Sequence, residues 1–297
     1  MKNEAGLRPM KRALRHTEGK GCASLHASVS ECFMAATPPL HVCGANASLT
    51  MYFLLLYNNV NKSEFAEVSM KTKKHFLDLS RFELCLWITS VAVTVLSFII
   101  SGSGNSMTMI ASLIGVTALI FVAKGYVLGQ VLTVVFAVFY GIVSFYFHYY
   151  GEMITYLGMT SPCAIASVIS WLCHPYEGTK EVKVNKLNGK LWILLILLTA
   201  AITFAFYFIL SAIGNANILF STFSVATSFI ASYLTFFRSP YYALGYVAND
   251  IVLIVLWTMA TFEKISYLPM IACFIMFLIN DLYGFYNWQK MKKEQSE

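Results

Sequence analysis

Tyr241–Thr261 reads YYALGYVANDIVLIVLWTMAT, 21 residues with one charged side chain, Asp250. A helix rises 1.5 Å per residue, and about 20 apolar residues suffice to cross the hydrocarbon core of a bilayer. A carboxylate inside such a segment is costly, so it faces other helices and has a task. Reading this stretch as a membrane span carries the rest of the chain with it. Of the 297 residues, 58% are hydrophobic and 12% charged. A soluble domain carries about a quarter charged. Seven other stretches are comparable: Leu84–Ser101, Met107–Ala123, Val127–Phe147, Met153–Cys173, Leu191–Ile213, Ile218–Phe237 and Ile265–Gln289. The breaks between them are short and turn-like (SGSGNS, AKGY, HYYGE, GNAN, RSPY), apart from the long loop His174–Lys190. The expected class is an all-α integral membrane protein with eight transmembrane helices.

Lysine and arginine gather on cytoplasmic loops. With the start of the first span inside, the inside segments hold Lys71, Lys73, Lys74, Arg81, Lys124, Lys180, Lys183, Lys186, Lys190, Arg238, Lys290, Lys292 and Lys293, and the outside loops hold only Lys264. Thirteen against one predicts both termini in the cytoplasm. A span too many or too few would scramble that alternation.

The heptapeptides GYVLGQV, from Gly125, and GYVANDI, from Gly245, recur at a distance of about 120 residues. Each copy then runs about 43 residues to a tryptophan that closes a helix, Trp171 or Trp288. The second to fourth spans thus read as a copy of the sixth to eighth, with the fifth as linker. Three helices and a linker make four crossings, so both copies enter the membrane in the same direction, the parallel-repeat plan of many transporters. The expected organisation is an N-terminal extension over 1–69, an amphipathic lead and first span over 70–106, and a first repeat over 107–173. A loop and linker helix follow over 174–217, then a second repeat over 218–290 and a tail over 291–297. Residues 1–69 are polar and mixed in charge. They read as disordered, or as an over-extended gene start upstream of Met70.

The sequence lacks GxxxxGK[ST], GxSxG and HExxH, and no nucleophile–base pair falls at one depth, so an enzyme is not expected. The seven cysteines show no ligand spacing; Cys85, Cys163, Cys173 and Cys273 read as small hydrophobes. No cofactor, metal or nucleic acid is expected.

Asp250 lies nine residues into its span from the inner end, and Asp281 eight residues back from the inner end of the last. Both are then roughly 12–14 Å deep, on antiparallel neighbours. Each follows an asparagine, Asn249 or Asn280. Helical spacing sets Phe285 and Trp288 on the face of Asp281, and Tyr246 and Trp257 on that of Asp250, with Tyr242 adjoining. The third span offers Gln130, Thr133, Tyr140 and Ser144 on one face. Amides, carboxylates and rings at one depth suit a flat, polar, cationic solute: amides fix its hydroxyl or carboxamide groups, and rings attract its charge. The alternative for the asparagines is interhelical glue, for Trp171 and Trp288 an interfacial anchor. A non-transporting membrane assembly protein would show Asp250 and Asp281 paired with no cavity. Glu152 reads as a solvated acid at a helix start, favoured by the helix dipole.

Several stretches resemble the nicotinamide riboside transporters of the PnuC type: HFLDLSRFE from His75, SWLCHPYEG from Ser170, RSPYYALGYVAND from Arg238, and NDLYGFYNW from Asn280, which follows the closing pattern N-x-x-YGxxxW through Tyr283, Gly284 and Trp288. The resemblance spans about Lys71 to Lys293. It implies a SWEET-like pair of three-helix repeats joined by a linker helix, plus one extra N-terminal helix. It also implies facilitated uptake of a vitamin or nucleoside across the bacterial inner membrane, with trapping by a cytoplasmic kinase. Many members carry W-x-x-W ahead of the asparagine of the seventh span; here Tyr242 and Gly245 stand there. Relatives of this architecture carry thiamine or riboflavin, and two midplane aspartates favour a cation. The binding candidates are Asn249, Asn280, Asp250, Asp281, Tyr242, Tyr246, Trp257, Tyr283, Trp288, Gln130 and Tyr140. The expected partners are the small-molecule solute and the bilayer; a homo-oligomer stays open.

Overall fold

The computed structural model describes residues 78–296, apart from 103–105, 147–148, 178 and 216. All of these fall in one unit, Asn61–Glu297. The expectations for residues 1–69 lie outside the described residues.

Among the described residues, nine α-helices make up eight spans: α1 (Arg81–Ser101), α2 (Ser106–Ala123), α3 (Val127–Tyr146), α4 (Tyr150–Thr155), α5 (Ser161–Leu172), α6 (Gly189–Ala212), α7 (Ile218–Phe236), α8 (Tyr242–Glu263) and α9 (Leu268–Glu294). Local chemistry sets their ends. Ser80 and Glu83 form a reciprocal capping box at the start of α1, and Gly102 closes that helix in the left-handed region at φ 61°. The Asn188 side chain accepts the Leu191 N–H at the start of α6.

The fourth span, expected as one helix, is broken. Between α4 and α5 lies a π-helical turn, Tyr156–Thr160, across which the Ser161 N–H reaches back to the Tyr156 carbonyl. Pro162 has no N–H to give to the α-helical ladder, and its ring crowds the preceding turn, which disrupts the helix there.

Exposure separates the spans into two kinds. Only 17% of α1 and 11% of α6 is buried, against 44–56% of the other spans. The two therefore lie at the lipid-facing periphery, and six spans make the core. Within each trio neighbours pack in order, α2 on α3 on α5 and α7 on α8 on α9. Across the trios the first helix of each packs on the last of the other, α2 on α9 and α7 on α5.

The backbone repeats this correspondence. After α2, Gly125 takes φ 68°, its N–H meets the Val122 carbonyl, and the Tyr126 N–H meets the Phe121 carbonyl. After α7, Arg238 takes φ 55°, its N–H meets the Thr235 carbonyl, and the Ser239 N–H meets the Leu234 carbonyl. Both ends are Schellman caps. The same Val122 and Thr235 carbonyls accept the indole N–H groups of Trp288 and Trp171, at 2.9 and 3.0 Å. The caps thus pair Gly125 with Arg238, seven positions ahead of the Gly245 that the sequence match selects. Gly245 lies inside α8, where a Cβ would come within 2.8–2.9 Å of Ala231 backbone atoms. Trp171 and Trp288 are fully buried, so neither is an interfacial anchor.

One loop ties the lysine-rich ends together. The Val182 N–H donates to the Gly125 carbonyl and the Asn185 N–H to the Arg238 carbonyl, both at 3.0 Å. Gln295, past the end of α9, accepts the Val184 N–H and donates to the Val182 carbonyl. Lys124 bonds Glu83 at the start of α1 at 3.0 Å. The start of α1 and the end of α9 therefore share one face of the protein, as the charge pattern predicts. Cys85, Cys163 and Cys273 are free thiols.

Candidate functional site

α8 and α9 bring the two intramembrane aspartates together. Both are 3% exposed, and their carboxyl groups come within hydrogen-bonding reach of each other. Asp250 Oδ2 has no hydrogen-bond partner. Among the described residues no lysine or arginine forms an ion pair with either.

One position before Asp250, Asn249 organises the face of α7. Its Oδ1 lies 2.9 Å from Ser228 Oγ, 3.0 Å from Thr227 Oγ1 and 3.3 Å from Ser224 Oγ. The α7 residues belong to a buried stripe, Ser221, Ser224, Ser228, Ser232 and Thr235, at intervals of three and four. That periodic serine pattern was the available signal for this face, and apolar counting passes over it.

Aromatic rings bracket this polar layer. Toward the lysine-rich end, Trp288 lies 5.4 Å from Trp171 and 4.8 Å from Tyr242, ring centre to ring centre. The Tyr242 hydroxyl passes over Gly284, where an added Cβ would stand 2.9 Å from it. Toward the other end, Trp257 donates its indole N–H to the Tyr140 hydroxyl at 3.0 Å, and the Tyr140 and Tyr156 rings lie 4.3 Å apart.

Two candidates face elsewhere. The Asn280 amide donates to Ser90 on α1 at 2.9 Å and to the Met276 carbonyl at 2.7 Å. The Tyr283 hydroxyl donates to Glu83, also on α1, at 2.8 Å. Both join the peripheral helix to the core, the glue reading raised for the asparagines. Gln130 is buried on α3. A cavity of about 370 Å³ opens on the lysine-rich face, between the start of α1, Lys124, Glu181 and the end of α9.

Glu152 departs furthest from expectation. Sequence makes it a solvated acid at a helix start; it is 1% exposed. Tyr156 lies one turn on from it, and Oε2 has no hydrogen-bond partner. Helices α3 and α7 pack against α4, which a composition window cannot register.

Arg238, expected as an anchor on the lysine-rich side, is buried and donates to the Ser170 hydroxyl and carbonyl near the end of α5. Burial lowers its guanidinium pKa to about 10.

The chain and its fold have known relatives. The nicotinamide riboside transporter PnuC of Neisseria mucosa is 29% identical over 196 residues, 64% of this chain and 74% of that protein. The PnuC transporter of Haemophilus influenzae is 24% identical over 210 residues, 70% of this chain and 90% of that protein. A crystal structure of the vitamin B3 transporter PnuC shares the fold with a TM-score of 0.65 at 24% identity, covering 73% of this chain and 94% of that one. The family model described as nicotinamide mononucleotide transporter matches residues 105–290, from the start of α2 almost to the end of α9. With that match spanning the whole six-span core, the chain belongs to the nicotinamide mononucleotide transporter family.

Proposed function

We propose that this multi-pass membrane protein mediates facilitated uptake of nicotinamide riboside, with both termini in the cytoplasm of a bacterial cell. The observation that carries the reading is the family match across the six-span core, beside relatives named for nicotinamide riboside. The paired aspartates, with the described cavity elsewhere, meet the mark set for an assembly protein, but that match outweighs it. Two carboxyl groups make poor glue: both cannot ionise side by side in a low-dielectric core, and amides would join the helices at less cost. A flat organic cation between them supplies the missing charge, and nicotinamide riboside is such a cation. Asn249 lies one position from Asp250, where its amide suits the solute's hydroxyl or carboxamide groups. Tyr242 and Trp288 on one side, Tyr140 and Trp257 on the other, offer rings to stack on it.

The family model is named for a nucleotide, and the relatives for the nucleoside. The acids favour the nucleoside here, because a phosphate would meet two carboxyl groups and no cation. The same repulsion supports trapping: once a cytoplasmic kinase has phosphorylated the solute, the path rejects it. Alternating access would come from rocking of the two trios, whose matched caps and crossed tryptophan bonds fit parallel repeats. Facilitated uptake requires no ion gradient, so collapsing the proton gradient should leave initial uptake rates unchanged.

Calorimetric titration of the purified protein with nicotinamide riboside, nicotinamide mononucleotide, thiamine and riboflavin tests the assignment. Tight binding of the riboside alone is expected. Equal affinity for the mononucleotide would overturn the charge reasoning, and selective binding of thiamine would reassign the cation.

A further inference from the structure

Glu152 is left unexplained by the site above. It is the third residue of α4, in the first turn of the span, at the lysine-poor end of the protein. An acid there ordinarily caps the helix, but here Asn215 Oδ1 accepts the first-turn N–H of Gly151, at 3.1 Å. Glu152 makes no ion pair with a lysine or arginine among the described residues. Its carboxyl group is 99% buried, with Oε2 unpartnered. An unpaired carboxyl oxygen in a protein core is expensive and calls for an explanation.

Its surroundings supply one. Tyr156 stands one turn on from Glu152, its backbone N–H bonded to the Glu152 carbonyl, and its ring centre lies 4.3 Å from that of Tyr140. Trp257 closes the group through its bond to the Tyr140 hydroxyl. Three hydroxyls converge on Asn249 Oδ1, which has two lone pairs, and Ser224 is the most distant at 3.3 Å. A carboxyl group framed by aromatic faces is the chemistry that holds an organic cation.

We propose that Glu152, framed by Tyr140 and Tyr156, is a second counter-ion for a positively charged organic solute, placed between the lysine-poor end and the Asp250–Asp281 pair, and that it makes the transporter discriminate a cation from its neutral analogue. The solute meets Glu152 first and passes along Tyr156 to Asp250. The inference rests on the proposed function in requiring a cationic solute.

The test compares nicotinamide riboside with its reduced dihydro form, which keeps the skeleton and lacks the positive charge. Both are titrated calorimetrically into the full-length protein, wild type and Glu152→Gln, with folding checked by thermal unfolding. The expected result is a loss of about tenfold or more in affinity for the cation, with affinity for the neutral form changed by less than about threefold. Equal losses for both forms, or none for the cation, overturn the proposal. Should Glu152→Gln not fold, Glu152→Asp withdraws the carboxyl by one methylene: a selective loss of cation affinity supports the role, and unchanged selectivity refutes it. A wild type that binds neither form refutes nicotinamide riboside as the solute; the comparison then passes to thiamine against riboflavin on the same variants. Binding of none of the four sinks both readings.

Discussion

Trp171 and Trp288 lie ring beside ring, 5.4 Å between centres, and each donates its indole N–H into the opposite trio, Trp171 to the Thr235 carbonyl and Trp288 to the Val122 carbonyl. The two bonds are counterparts, so their loss should have matching effects. Trp171→Phe and Trp288→Phe keep an aromatic ring and remove the donor. Each is expected to cost roughly 0.5–1.5 kcal/mol plus a packing term for the smaller ring. Thermal unfolding in detergent reads this. A large effect of one substitution beside none of the other would argue against the correspondence.

Gly245 faces α7 so closely that Gly245→Ala must push backbone against backbone. A destabilisation of about 1–3 kcal/mol is expected, as for overpacking generally. Gly189→Ala is the control. No atom lies within 4 Å of an added Cβ there, and alanine favours the first turn of α6. Its melting temperature should hold or rise slightly; a fall as large as that of Gly245→Ala would contradict the packing described.

The two asparagines should part company. Asn249→Ala removes the acceptor on which Ser224, Thr227 and Ser228 converge, and should weaken solute binding by about tenfold or more. Asn280→Ala removes a bond to α1 and should lower stability while leaving affinity within about threefold. Titration of both variants, each shown to be folded, decides between them. Similar losses of affinity would return Asn280 to the solute path.

Glu181 on the lysine-rich face has its carboxyl pKa raised by burial, with repulsion from Glu294 and Glu83 adding to the shift and Lys124 and Lys290 opposing it. A folded-state value above the unfolded one means that the native protein binds the proton more tightly, so stability falls as pH rises through that window. Glu181→Gln should therefore raise the melting temperature at pH 7. The gain should shrink as pH falls and vanish below the ordinary glutamate range, where the wild-type group is neutral in both states. A gain constant across pH would mean that charge is not the cause.

The eight spans and their alternation were legible because a bilayer imposes length and apolarity on every crossing, and lysines mark one side. The meeting of Asp250 and Asp281 was legible too, since depth follows from counting residues at fixed rise. Direction around the helix was less so. Asn280 and Tyr283 flank Asp281 in sequence, yet they turn to α1, because a step of one residue or two rotates the side chain toward another neighbour. Glu152 and the serine stripe of α7 were missed for a related reason. Short polar side chains change local hydropathy little, and a carboxyl at a helix start looks solvated until the fold covers it. The repeat was readable in outline only: its clearest peptide match, Gly125 with Gly245, pairs a cap with a helix interior.

That mismatch has a consequence of its own. The acceptors shared by the two halves are main-chain carbonyls, which every residue carries, so the side chains above them are free to diverge. An arginine now occupies a left-handed position that glycine fills without strain in the other half, at a cost on the order of 1 kcal/mol. An ancient duplication would be hidden from residue matching in this way while its hydrogen-bond skeleton endured. Kinship between the halves of such a protein is better sought in helix caps and in what the tryptophans hold than in the letters of the chain.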